Sequence, residues 1–176
     1  CAQLFREKKV DLKEMQGMSL ERVWGKDLSP EDAKDLKQIA LLNFELGETK
    51  ARALYEGIAG VIDARDPNVE FVIERKKAKK RSEIVSFCRF NAKESDGRRY
   101  WGSFNVNPKF RGSGIGDRML YDVVQKEAER QPIYATVFSQ LSVGMHYVNK
   151  DGFCIIGLKE NFHNTGETHF IIECAP

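Results

Sequence analysis

The stretch that most constrains this chain is residues 107–116, NPKFRGSGIG. A proline ends an apolar segment, glycines follow at 112, 114 and 116, and a helical pattern begins at once. Because glycine adopts positive φ and allows close approach to the backbone, successive N–H groups of such a turn can point into one concavity at a helix N-terminus. The stretch therefore predicts an anion-binding loop that suits a diphosphate.

The segments on either side of the loop have clear patterns. Residues 100–106 (YWGSFNV) alternate and are rich in β-forming types, which predicts a strand. After the loop, apolar residues recur at three- and four-residue spacing and charged residues fall on the other side, which predicts an amphipathic helix. The apolar face comprises Ile115, Met119, Leu120, Val123, Val124 and Ala128, and the charged face comprises Asp117, Arg118, Lys126 and Glu127.

The spacing of the glycines excludes two common phosphate-binding motifs. Asp117 stands where G-x-G-x-x-G needs its third glycine, and G-x-x-x-x-G-K-[ST] does not occur. Instead, Val106-x-Pro108-x-x-Arg111-Gly-x-Gly-Ile-Gly closely resembles the pyrophosphate loop of the GNAT superfamily of acyl-CoA-dependent N-acyltransferases. The resemblance implies an α/β (α+β) fold with a mixed, mostly antiparallel sheet, a central parallel pair of splayed strands, and flanking helices. A glycine turn that only joins a strand to a helix is the alternative.

Length and composition fit one domain. The 176 residues are 41% hydrophobic and 31% charged, with no signal-peptide pattern and no apolar run near the ~18 residues that span a bilayer. We expect a cytoplasmic protein with no membrane partner, and a net charge of +2 is too small to indicate nucleic acid. Four cysteines without C-x-x-C spacing predict free, mostly buried thiols, at Cys1, Cys88, Cys154 and Cys174.

The front of the chain predicts a leader, a strand and two helices. Residues 1–17 are interpreted as a linker or short helix, and residues 18–176 as the domain; the start at Cys1 suggests a piece of a longer chain. Residues 20–24 alternate as a strand. A helix then begins at Ser29-Pro30 and runs to Gly47, and Thr49 is expected to cap a second helix that ends near residues 66–67. By resemblance, the turn between these helices borders the acceptor site.

Two further strands, at residues 69–74 and 84–90, flank the basic run RKKAKKR at 75–81. Such a run suits a nucleic-acid patch or a solvated hairpin tip, and we favour the tip. The apolar residues 132–138 predict a strand parallel to and beside the 100–106 strand, because strand, helix and strand form a βαβ unit. Ser142 can cap a short helix over 143–150, Gly152-Phe153 follows, and strands at 153–158 and 169–174 close the chain as a hairpin.

The resemblance implies acetyl-CoA as the acyl donor and an amine as the acceptor. It assigns contacts with acetyl-CoA to Phe104, Asn105, Val106, Arg111, Gly112, Ser113, Gly114, Ile115, Gly116, Asp117 and Ser142. Backbone N–H groups near Val106 are expected to polarise the thioester carbonyl. The family's usual acid is a tyrosine four residues before the Gly of Gly-Phe; that position is Val148 here, and Tyr147 is the candidate acid.

No carboxylate occurs between Tyr100 and Asn105 to serve as a base. Glu70 and Glu74 could act through water, although each also suits a solvent-facing strand acid. His163 and His169 flank the last hairpin turn and also suit exposed loop positions. Together with His146 they lack metal-ligand spacing, so no metal is predicted.

The sequence thus predicts an N-acetyltransferase that acts on a primary amine by direct attack. The acceptor is left open between a small cationic molecule and a protein or peptide amine, and Glu45 and Glu48 would favour a cation. Two alternatives remain: a CoA-binding regulatory module without turnover, and an RNA- or ribosome-associated protein that uses the 75–81 run. The oligomeric state is left open.

Overall fold

The computed structural model describes residues 17–43, 48–78, 81–138, 152–161 and 166–176. Within these residues, seven strands form one sheet in the order β1-β2-β3-β4-β5-β7-β6. Every neighbouring pair is antiparallel except β4 and β5, which are parallel. The strands are β1 (Met18–Trp24), β2 (Val69–Lys76), β3 (Glu83–Lys93), β4 (Arg99–Val106), β5 (Ile133–Phe138), β6 (Cys154–Lys159) and β7 (His169–Cys174). The predicted mixed sheet with one central parallel pair is confirmed.

Helices cover both faces of this sheet. Helix α1 (Pro30–Asn43) and helix α2 (Glu48–Ala64) pack on one face. A continuous helical run, called α3 here, covers the other face and consists of an α-helical turn (Ile115–Met119), a π-helical segment (Leu120–Gln125) and a final turn (Lys126–Ala128). None of the described helices is long and apolar enough to cross a membrane.

Side-chain alternation along the strands assigns each residue to one of two cores. Phe71 and Ile73 point toward α1 and α2, whereas Val72 between them packs against α3. All six residues of the predicted apolar face of α3 are buried, which confirms the pattern read from the sequence. The sheet therefore has an α1/α2 face and an α3 face.

The ends of the helices agree in part with the sequence signals. Ser29 caps α1 as predicted, since its Oγ accepts a hydrogen bond from the N–H of Asp32 at 3.1 Å. Helix α2 begins at Glu48, so Thr49 lies inside its first turn and the prediction of Thr49 as the cap is wrong. The predicted end of the first helix at Gly47 lies outside the described residues, which stop at Asn43.

Several acids that the pattern placed at the surface are buried on the α3 face. Glu70 and Glu127 both accept hydrogen bonds from the guanidinium of Arg99, at 2.9 and 2.8 Å. Arg22 of β1 forms ion pairs with the same two carboxylates. Burial alone would raise the pKa of Glu127, but the hydrogen bond and charge of Arg99 outweigh it and lower that pKa. The expectations of a solvent-facing Glu70 and an outward-facing Glu127 are therefore wrong, because the sheet has a second covered face.

Glu74 is buried on the same face. Its carboxylate accepts a hydrogen bond from Ser86 Oγ at 2.7 Å and contacts the guanidinium of Arg118. A solvent-facing position for Glu74 is likewise wrong. The sequence pattern predicts Arg118 on the exposed side of its helix, and this prediction is wrong. The helix packs on the sheet, so the long side chain of Arg118 reaches Glu74 on β2.

The basic run is less solvated than expected. Arg75 belongs to β2, its side chain is only 15% exposed, and it pairs with Glu21 and Asp32. Arg81 pairs with Asp32 and Asp35 from α1. The run also does not protect an edge of the sheet, since β2 and β3 are interior strands and the edge strands of the sheet are β1 and β6. Acids from β1 and α1 thus neutralise both ends of the run.

The cysteines are free wherever they are described, as predicted. Cys88 lies in the core, and burial raises the pKa of its thiol to about 12, which makes it unreactive. Cys174 is partly buried, but Cys154 is exposed on the edge strand β6, so the expectation of burial fails there.

Candidate active site at the splayed strands

The central feature of the site is a wedge between β4 and β5. The two strands pair only at Arg99 with Ile133 and at Tyr100 with Tyr134, although β4 continues to Val106 and β5 to Phe138. Because the strands are parallel and pair at their N-terminal ends, the wedge opens toward their C-terminal ends. The 107–116 loop follows β4 at the open end, so the wedge leads directly to it.

A β-bulge in β4 shapes one wall of the wedge. Phe87 of β3 pairs with Asn105, and Arg89 of β3 pairs with Gly102. The chain advances three residues along β4 where it advances two along β3, so β4 carries one extra residue. Ser103 in this interval has φ +50°, which is uncommon for a residue other than glycine. The bulge interrupts the regular ladder, and the residues that follow it, 104–106, are those predicted to contact the acyl donor.

The predicted loop has the backbone conformation that its glycines allow. Gly112 and Gly114 have φ of +78° and +81°, and Gly116 is helical in the first turn of α3. The backbone N–H of Arg111 donates to Pro108 O, and the backbone N–H of Arg118 donates to Gly114 O. The backbone N–H groups from Gly112 to Gly116, by contrast, donate to no backbone group of the described residues. A Cβ added at Gly112 would meet no atom of the described residues within 4 Å. The loop therefore presents a series of amides at the start of α3, beside open space.

Two asparagines that the sequence analysis did not single out hold this loop. The Asn107 side chain accepts from Lys109 N–H at 3.2 Å and donates to Ile84 O at 3.1 Å, which pins the chain where β4 ends. An asparagine directly before a proline is a turn signal and could have indicated this role. Asn43, at the end of α1, accepts from Arg111 and donates to Asn105 Oδ1 at 2.8 Å.

Asn43 therefore joins three parts of the site. Asn105, which is buried, donates in turn to Ser103 O at 3.1 Å. The chain of hydrogen bonds runs from the loop at Arg111, through the end of α1, to the bulge of β4. No sequence pattern could reveal it, since its members lie up to 68 positions apart.

Tyr100 closes the narrow end of the wedge. Its hydroxyl lies 3.0 Å from Thr136 Oγ1 on β5, and its ring packs edge-on against Tyr134 at 5.3 Å between centroids. The ring also leans over Gly102, where an added Cβ would lie 2.7 Å from Tyr100 Cε1. Glycine is therefore required at position 102 for this position of the ring.

The remaining predicted residues divide between described and undescribed parts of the chain. Tyr147, Val148, Ser142, His146, His163 and Glu45 lie outside the described residues. His169 is described; it begins β7, is 2% exposed and packs against Phe138, so its expected exposure is wrong. Burial lowers the pKa of His169 below its usual value. No cluster of three metal-ligating side chains occurs in the described parts of the chain.

The Gly152-Phe153 pair lies beside β4. Gly152 has φ +75°, and Phe153 is buried against Trp101 of β4, with ring centroids 5.6 Å apart. This contact brings the segment after the undescribed residues 139–151 back beside β4. The start of β6 is thus anchored close to the wedge.

Comparison with known proteins agrees with this architecture. Residues 33–153 match the model of the acetyltransferase (GNAT) family. No curated protein sequence matches the chain. The fold is similar to that of an acyl-CoA N-acyltransferase from Pseudomonas aeruginosa, with a TM-score of 0.66 and 17% identity over 90% of this chain and 99% of that one.

Two further structures show the same fold. PaiA N-acetyltransferase from Thermoplasma acidophilum, in complex with coenzyme A, has a TM-score of 0.63 and 17% identity over 90% of this chain and 99% of that one. The ribosomal-protein-S18-alanine N-acetyltransferase from Escherichia coli has a TM-score of 0.62 and 11% identity over 90% and 95%. Since the family model covers more than half of the sequence, this chain belongs to the acetyltransferase (GNAT) family, a family of acyl-CoA N-acyltransferases.

Proposed function

We propose that the protein is an N-acetyltransferase that transfers the acetyl group of acetyl-CoA to a primary amine by direct attack in a ternary complex. The observation that carries the proposal is the wedge that opens from the Tyr100–Tyr134 pair to the glycine loop. One extended thioester can lie with its diphosphate at the loop and its acyl end in the wedge. The family match supports acyl-CoA as the donor, and the choice of acetyl-CoA is part of the proposal.

The donor would be held largely by backbone. Amides of Gly112, Ser113, Gly114, Ile115 and Gly116 would bind the diphosphate oxygens, with the positive end of the α3 dipole behind them. Pantetheine contains two amide groups, so it can pair with the β5-facing backbone of residues 104–106 in the manner of an added strand. Arg111 and Asp117 flank this path, and Ser142 would contact it from the undescribed segment.

The reaction itself needs a free amine, a polarised carbonyl and a proton for the thiolate. The amine nitrogen attacks the thioester carbon, the C–N bond forms, and the C–S bond breaks. An amine with a pKa of about 10.4 loses its proton at a cost of about 4 to 5 kcal/mol at pH 7. The backbone near Val106 would bind the oxyanion, and Tyr147 would protonate the departing thiolate.

The general base that would take the proton of the acceptor amine is not one of the two strand acids. Glu70 and Glu74 are held by arginines on the α3 face, whereas helices α1 and α2, which by resemblance to the family border the acceptor, pack on the opposite face. We therefore assign the base role to neither acid and route the amine proton to water. We also expect a cytoplasmic location, where thiols such as Cys154 stay reduced.

Calorimetry with acetyl-CoA and with CoA, followed by thiol release with a mixture of primary amines, tests the proposal. We expect that both acetyl-CoA and CoA bind, and that CoA is released from acetyl-CoA only when an amine is present. Binding without thiol release would indicate a regulatory module, and absence of CoA binding would refute the proposal. Tight RNA binding in a parallel calorimetric titration would instead favour a role for the 75–81 run.

A further inference from the structure

Arg89 is a cation in an unusual setting. It lies on β3 between two residues of the α3-side core, Cys88 and Phe90, so its own side chain is on the α1/α2 face. Its Nε donates to Ser103 Oγ at 3.0 Å, its Nη1 donates to the Asn91 side chain, and its guanidinium carbon lies 5.1 Å from the centre of the Tyr100 ring. These contacts place the guanidinium beside the bulge of β4 and the narrow end of the wedge.

Arg89 differs from the other arginines packed into this fold. The described side chains of Arg22, Arg75, Arg98, Arg99 and Arg118 each contact at least one carboxylate. Within the described residues, no carboxylate lies at ion-pair distance from Arg89, and its Nη2 donates to no neighbour. Burial lowers the pKa of Arg89, with Tyr100 partly opposing the shift, yet a guanidinium remains cationic at neutral pH.

A desolvated cation without a counter-ion is costly for a fold. Ser103, Asn91 and Tyr100 nevertheless hold the Arg89 side chain in a defined position with donors left over. This arrangement is typical of a residue that binds an anionic ligand. A planar guanidinium with unused N–H groups matches a carboxylate in geometry as well as in charge. The electrostatic cost is removed when an anionic ligand arrives.

We infer that Arg89 binds a carboxylate of the acceptor, so that the acceptor is an amine that also carries a carboxylate. The inference rests on the proposed function and narrows its acceptor. Ser103, which Arg89 contacts, precedes Val106, whose backbone would bind the oxyanion, by three residues, at most about 10 Å along a strand. The carboxylate and the reacting amine are then separated by a few bonds, as in a free amino acid or the end of a short peptide.

Matched acceptors provide the test. Thiol release is measured for the twenty proteinogenic amino acids, for their α-amides, and for dipeptides with a free or amidated C-terminus. We expect kcat/KM for the best carboxylate-bearing acceptor to exceed that of its amide by about 10- to 100-fold, the scale of a hydrogen bond to a charged group. Comparing kcat/KM for amino acids with kcat/KM for dipeptides shows whether the preferred acceptor is a free amino acid or a short peptide.

Three variants separate the effect of Arg89 from a general effect of charge. Arg89→Gln keeps a donor but removes the charge, and the ratio of acid to amide should fall to within about threefold of one. Arg52→Gln is the control, because Arg52 lies exposed on α2 in a pair with Glu56, and it should keep the wild-type ratio. Arg89→Lys, which keeps the charge and loses the fork, should give an intermediate ratio.

A binding measurement makes the test independent of turnover. Calorimetry of wild-type protein saturated with CoA should show that the acid binds more tightly than its amide. If CoA binds and amines are acetylated, but acid and amide are equivalent throughout the panel, the inference is overturned and the proposed function stands. If CoA does not bind, both are overturned. The wild-type comparison decides even if Arg89→Gln fails to fold.

Discussion

Replacing Gly114 by glutamate tests the diphosphate loop directly. Gly114 has φ +81°, where a side chain costs about 1–2 kcal/mol, so the melting temperature should fall by about 2–8 °C. A glutamate carboxylate about 5 Å from a phosphate adds about 3 kcal/mol of repulsion per negative charge at an effective dielectric constant near 20. The dissociation constant for CoA, measured by calorimetry, should therefore rise by at least about 100-fold.

Gly97→Glu is the matched control. Gly97 has φ +88° in the turn between β3 and β4, and an added Cβ there would meet only the Lys93 side chain, at 3.7 Å. The two variants carry the same charge change and similar backbone strain, so their loss of stability should be similar while CoA affinity falls only in Gly114→Glu. Wild-type CoA affinity in a folded Gly114→Glu protein would refute the assignment of the loop.

Four further predictions concern the reaction, the buried charges and the basic run. Tyr147→Phe should retain CoA binding and lower turnover by about 100-fold, the scale of a positioned acid; equal single-turnover rates would move that role to water. Arg99→Met should lower the free energy of unfolding by about 3–5 kcal/mol in urea titrations, because it removes the buried cation and leaves the carboxylates of Glu70 and Glu127 to the partly exposed Arg22; a loss below about 1 kcal/mol would contradict this.

Glu127 has a lowered folded pKa, so its contribution to stability is present above its ordinary value of 4.5 and is lost as pH falls through the folded value. Glu127→Gln should accordingly flatten the acid limb of the stability profile, and an unchanged limb would count against the pairing. Replacing Lys76 and Lys77 by serine should leave CoA binding unchanged in calorimetry; salt-sensitive RNA binding that these changes abolish would overturn our interpretation of the run.

The elements with strong local signals could be predicted from the sequence. The proline, the glycines and the spacing from Ile115 to Ala128 encode the loop and α3 within a short stretch, because turn conformations and helix periodicity depend on neighbours in the chain. The parallel partner of β4 followed from the βαβ connection, and its splay followed from the family resemblance. The helix cap at Ser29 was likewise local.

The environment of single side chains could not be predicted in this way. Glu70, Glu74 and Glu127 carry the same carboxylate as any surface acid, and only the second helical layer over the sheet buries them against arginines. Arg89 gave a weak signal as one cation in the apolar run IVSFCRF, but the lack of a carboxylate beside it depends on what β4 and α1 place there.

The sequence by itself determined the family, the loop and the order of the elements, since these depend on short-range patterns of residues. The tertiary structure decided how the site is built, through the bulge at Ser103 and the bridge from Arg111 through Asn43 to Asn105, and it also decided that His169 is buried and that Cys154 is exposed. The physical reason is that burial, ion pairing and hydrogen bonding across the sheet depend on strand register and on helix placement, which join residues far apart in the chain.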